Sequence, residues 1–345
     1  MTEMLRYFRW SLLVTILGLV AAFWLGLRYE GSLGGALSFL LVGTVLAVLE
    51  ISLSFDNAIV NANKLRDMSP VWRQRFLTWG ILIAVFGMRI VFPLAVVAVA
   101  ARVGPFEAVR LAATEPDTYA RLMNESHLSI AAFGGTFLMM VALNFFMDDA
   151  KEIDWLRGIE HRLRRMGTIK GVTYGLVLAV VLGFGLALGL AEQAVFFKAA
   201  IMGLVVFMLV ETLSHVLDAE SEMQSAARAG GLGAFLYLEV LDASFSFDGV
   251  IGAFALTQNL FLIAIGLGIG AMYVRSMTIM LVEKKTLSQF RYLEHGAFYS
   301  ILALAVIMFA QSLVHVPEVI TGLLGAMIIG LSLLSSVRFN RRLVS

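Results

Sequence analysis

The chain has 345 residues, of which 59% are hydrophobic and only 15% charged. Soluble domains carry about a quarter charged residues, so this balance excludes one and points to a polytopic membrane protein. The formal net charge of +1 names no partner, and the lack of cysteine excludes disulfides and thiolate chemistry, leaving oxygen and imidazole as ligands.

A helix crosses the bilayer core with about 20 apolar residues. Windows of that kind centre on 10–28, 34–56, 76–100, 129–147, 171–191, 195–217, 232–256, 259–282, 297–315 and 317–336, about ten spans. The first follows Arg6 and Arg9 and continues to about Leu27 with no small-residue cleavage pattern, so it reads as a retained span, not a secretory signal. With the N-terminus inside, 19 of the 26 Lys and Arg fall in cytoplasmic segments and five outside, with Arg89 and Arg275 within spans. The positive-inside rule therefore expects both termini in the cytoplasm. Of the longer connections, 101–128 is expected to be a solvated outer loop. The other, 148–170, should be an amphipathic cytoplasmic surface helix beside anionic lipid, with no chemistry of its own.

One short polar phrase occurs twice. Glu50-Ile-Ser-Leu-Ser-Phe-Asp56-Asn57 lies in the second window and Asp242-Ala-Ser-Phe-Ser-Phe-Asp248-Gly249 in the seventh. The window after each holds a glycine nine residues before an arginine, Gly80 to Arg89 and Gly266 to Arg275. Five crossings separate the copies, so they run in opposite directions through the bilayer, the pattern of an inverted-repeat transporter with its site near the midplane. The expected fold is an all-α transmembrane helix bundle with broken motif helices. It divides into an extra N-terminal span (1–32), a first repeat half (33–170) and a second (171–345) within a single membrane domain.

Carboxylates in hydrocarbon are expensive and mark function. On a regular helix a six-residue step turns a side chain by roughly 240° beyond a full turn, which separates Glu50 from Asp56 while grouping Ser52 with Asp56, and Glu50 with Ser54 and Asn57. Either the helix stays regular and splits its polar groups, or it breaks near the serines and lets them converge. The pooled ligand set is Glu50, Asp56, Asn57, Asp242 and Asp248, supported by Ser52, Ser54, Ser244, Ser246 and Glu239. All these donors are oxygen, which suits manganese, magnesium or calcium. The acids outnumber their candidate charge partners, Arg89 and Arg275, leaving a deficit that a divalent ion reduces and protons complete. As lesser candidates, Glu294 and His295 open the ninth window as a proton relay or as helix-terminal charges. Glu211, His215 and Asp218 share one helix face at a solvated span end, and Asn144 lies in the fourth window.

The phrase Glu50-x-Ser-Leu-Ser-Phe-Asp56-Asn57-Ala58 resembles the TerC family of bacterial integral membrane proteins. Phe133-Gly-Gly-Thr-Phe-Leu-Met-Met-Val and Tyr292-Leu-Glu-His-Gly-Ala look like a related branch described as a domain of unknown function, DUF475-like. The resemblance implies a LysE-like transporter in the bacterial inner membrane, with manganese export or tellurium resistance as the associated roles, and it carries over Glu50, Asp56, Asn57, Asp242 and Asp248. Gly249 departs from Asn57, so the halves do not supply identical ligands. The expected function is a divalent metal exporter, manganese foremost, that needs no resident cofactor. Its partners are the lipid bilayer and the metal substrate, with no nucleic acid. Transport of another small solute, intramembrane aspartyl hydrolysis and a membrane assembly role are the competing classes.

Overall fold

Residues 2–344 are described by a computed structural model, apart from 81–82, 84–86, 88–89, 92–93, 96, 99–101, 170, 225–230, 258, 315 and 317. Arg89 and the side chains of His215, Asp218, Ser246 and Asp248 lie outside the described residues. The described elements are helical throughout. In chain order they are α1 (Thr2–Glu30), α2 (Leu33–Leu53), α3 (Phe55–Asp67), α4 (Pro70–Arg75), a π-helical turn (Phe76–Gly80), α5 (Pro105–Thr114), α6 (Pro116–Met147) and α7 (Arg157–Gly167). There follow α8 (Val172–Ala187), α9 (Leu190–Gln224), α10 (Leu232–Leu256), α11 (Leu260–Glu283), α12 (Thr286–Gln289), α13 (Leu293–Gln311) and α14 (Glu318–Val344). The helix starts follow local chemistry. Ser32 and Asn259 accept the Gly35 and Leu262 amides at 3.0 Å, capping α2 and α11.

Among the described residues seven helices are long and apolar enough to cross a membrane, or eight if α7 and α8, bent by 110°, count as one span. Of the ten windows, 76–100 falls partly outside the described residues. The window 232–256 is α10, 25 residues long but bearing Glu239, Asp242 and Asp248. Burial sorts the helices: 78% of the apolar stretch of α6 is enclosed, against 17% in α1 and α14, so α6 is central and the other two are peripheral. The outer faces of α1, α2, α8 and α14 expose Ile16, Trp24, Leu41, Leu182 and Leu323, a surface suited to lipid. This is an all-α polytopic membrane bundle.

Two connections differ from expectation. Segment 101–128 is mostly helical, because Pro105 and Pro116 open α5 and α6 from first-turn positions, where a missing amide costs nothing. Segment 148–170 is helical only in α7, and its polar groups are not all solvated. Glu160 is wholly enclosed. It accepts the Trp155 and Leu156 amides at 3.1 and 2.9 Å and pairs with Lys151 Nζ at 2.6 Å, while Arg164 holds Asp154 at 3.1 Å. Lys151 also lies 5.2 Å from the ring centres of Phe145 and Phe146 on α6. The segment is a strap bound by buried charge, where a solvated amphipathic surface helix was expected.

The helices bearing the duplicated phrase lie side by side. Along α2 and α3, Gly43 meets Leu262, Leu46 meets Gly266, Glu50 meets Gly270 and Ala58 meets Thr278, so α11 runs parallel to them. Against α10 the order reverses. Leu46 shares a core with Val250, Phe245 faces the same cavity as Glu50 and Asp56, and Asn61 bonds Asp242, so α10 is antiparallel. The glycines that follow the two phrases also cross over. Gly80 approaches Glu239 on the second motif helix, and Gly266 approaches Leu46 on the first. In the first copy the helix breaks at a single residue, Ser54, with φ −99° and ψ 17°. The second copy is unbroken, which corrects the expectation of two broken motif helices: Ser244 Oγ donates back to the Val240 carbonyl at 3.0 Å, a bond that regular helix accommodates.

Candidate cation site

The break at Ser54 brings Glu50 and Asp56 to one cavity despite their separation on a regular helix. Ser54 N–H still bonds the Glu50 carbonyl and its own carbonyl accepts the Ala58 amide, so the chain turns without losing either bond. Ser54 Oγ donates to Glu50 Oε1 at 3.0 Å, and Ser300 Oγ on α13 donates to Asp56 Oδ2 at 2.9 Å. Asp56 Oδ1 accepts the Asn57 amide at 2.8 Å. Glu50 passes directly over Gly270, where a methyl group would overlap its Cβ and Cγ. The cavity measures about 40 Å³ and is lined by Glu50, Ser52, Ser54, Asp56, Ser300 and Thr321 among apolar residues of α13 and α14. Thr321 Oγ1 is buried with no hydrogen-bond partner among the described residues. Ser52 is the weakest of these, being exposed, with its hydroxyl committed to the Val48 carbonyl at 2.8 Å.

The other motif residues face a second cavity. Asp242, Asn57, Asn61, Gly80, Arg275 and Thr278 line about 30 Å³ on the far side of α3, and Asn61 Nδ2 donates to Asp242 Oδ1 at 3.1 Å. Asp56 and Asn57, neighbours in the chain, thus serve different cavities. Arg275 does not reach for a membrane surface: its Nε donates to the Leu77 carbonyl in the π-helical turn at 3.0 Å. Glu239 is buried beside Gly80. Among the described residues no three His, Asp or Glu side chains converge on one point, so the pooled set is divided here, two acids to the first cavity and Asp242 to the second.

Glu294 and His295 point to different elements. Glu294 Oε1 accepts Asn63 Nδ2 at 2.6 Å, whereas His295 Nε2 lies 2.7 Å from the Ile153 carbonyl and 3.4 Å from Glu160 Oε2 in the strap. Glu211 is held by Asn144 Nδ2 at 2.8 Å and Tyr174 OH at 3.2 Å. Sequence reasoning missed Asn61, Ser300, Thr321 and Glu160. Only Asn61 carried a signal, four residues after Asn57 and hence on the same helix face.

The model of one family, Protein of unknown function (DUF475), matches residues 55–343. The chain belongs to that family. The match takes in Asp56, Asn57, Asn61, Asp242, Ser300 and Thr321 and starts just after Ser54, so the DUF475 region holds all of the second cavity and, of the first, everything but Glu50, Ser52 and Ser54. No curated protein and no solved structure matches the sequence.

Proposed function

We propose that this DUF475 chain is a secondary transporter of a hard divalent cation, manganese foremost, which it carries through the cavity of Glu50 and Asp56. One observation carries the reading: two buried carboxylates share a small cavity whose other polar lining, among the described residues, is hydroxyl. Two negative charges balance one divalent ion, and Ser54, Ser300 and Thr321 add neutral oxygens of the kind that manganese, magnesium and calcium accept. Among the described residues nothing in that lining offers the sulfur or imidazole that copper or zinc would favour. A volume of about 40 Å³ accommodates the ion with a water or two, not a full hydration shell. The broken helix at Ser54 supports the same reading, since transporter ion sites form where a membrane helix is interrupted. The resemblance to TerC proteins favours manganese and export through the inner membrane.

Binding of Mn²⁺ to the purified protein, read by loss of the free-ion paramagnetic resonance signal, tests the site. The wild type is expected to bind saturably. Asp56→Asn and Glu50→Gln should each weaken binding about 100-fold, the cost of leaving a buried charge poorly matched. Equal binding by both variants would overturn the assignment.

A further inference from the structure

The second cavity has a different charge and a different kind of oxygen. Asn57 and Asn61 are 5% and 3% exposed, and the side-chain carbonyl oxygen of each has no hydrogen-bond partner among the described residues. For Asn61 the amide orientation is fixed, because its Nδ2 must face Asp242 Oδ1. A buried acceptor left bare costs about 1–3 kcal/mol, and these two occur on successive turns of α3, on the wall of one cavity. Glu239, one turn before Asp242 on α10, is 6% exposed with both oxygens unpartnered among the described residues, against the Gly80 that lines the same cavity. Thr278 spends its proton on the Val274 carbonyl at 2.9 Å, so its oxygen is left as an acceptor. The lining itself carries one carboxylate, Asp242, and one guanidinium, Arg275, while Glu239 stands behind Gly80 at its edge.

We propose that the cavity of Asn57, Asn61, Asp242 and Thr278 is a separate site for a monovalent cation, sodium by its amide-rich oxygen set, and that this ion is the coupling ion of the transporter. With one carboxylate set against one guanidinium in the lining, the cavity suits a single positive charge better than two. A volume of about 30 Å³ holds it nearly stripped of water, so the bare amide oxygens replace hydration. The coupling role rests on the divalent-transport reading of the first cavity; sodium binding does not.

Binding of ²²Na⁺ to the full chain in detergent, without any divalent ion, tests the site, and manganese flux into proteoliposomes with and without a sodium gradient tests the coupling. Saturable sodium binding that Asn61→Ala weakens about tenfold, while Mn²⁺ affinity stays at the wild-type value, supports the proposal. Thr278→Val provides the same readout should Asn61→Ala fail to yield monodisperse protein. A wild type that binds manganese but no sodium overturns this proposal and spares the first. One that binds sodium but no manganese supports the sodium site and overturns the first. Flux that follows a proton gradient and ignores sodium overturns the coupling.

Discussion

Ser300 lies in the middle of α13, and the bond that it donates orients Asp56. Interhelical side-chain bonds in membranes contribute about 0.6 kcal/mol on average, and bonds to charged groups more. Ser300→Ala should therefore weaken Mn²⁺ binding about fivefold to tenfold and Ser300→Thr should retain it, as read by titration. The larger residue-level effect belongs to the strap. Glu160→Gln leaves Lys151, whose side chain is 8% exposed, with Asp154 at 3.7 Å as its remaining carboxylate among the described residues, and breaking a buried pair costs about 3–5 kcal/mol. A lower melting temperature in detergent is expected, with partial recovery when Lys151→Met is added. None of this chemistry was legible in the sequence. Charges between spans look solvated, and Glu160 is enclosed by groups that include His295, far along the chain. Ser300 and Thr321 lie in no motif, whereas Glu50 and Asp56 declared themselves by the cost of acids in an apolar window.

At the scale of elements, the site depends on how closely α11 approaches α2. Gly270→Ala drives a methyl group into Glu50, and overpacking costs about 1–3 kcal/mol. The variant should bind Mn²⁺ more weakly, while Gly183→Ala, where nothing lies within 4 Å, should bind as the wild type does. The break in the first motif helix was one of two outcomes that the serines allowed. What the sequence could not separate was Ser54, which reaches the Glu50 side chain, from Ser244, which bonds a backbone carbonyl and leaves α10 straight. The same ambiguity hid α5, since proline serves a loop and a helix's first turn equally well.

For the whole molecule, composition announced a membrane bundle, and the structure sorts it into a buried α6 and lipid-suited outer helices. The absence of cysteine makes sidedness directly measurable. A single Arg9→Cys or Arg341→Cys is expected to react with a membrane-impermeant maleimide only after the cell membrane is opened, because basic residues gather on the cytoplasmic side. Labelling of either in intact cells would reverse that orientation.

Asp56 and Asn57 are adjacent residues at the start of α3, and each forms part of the wall of a different cavity. Any roll of that helix about its own axis moves both walls together. The two ions of the proposed cycle would then be mechanically geared through one short rotor.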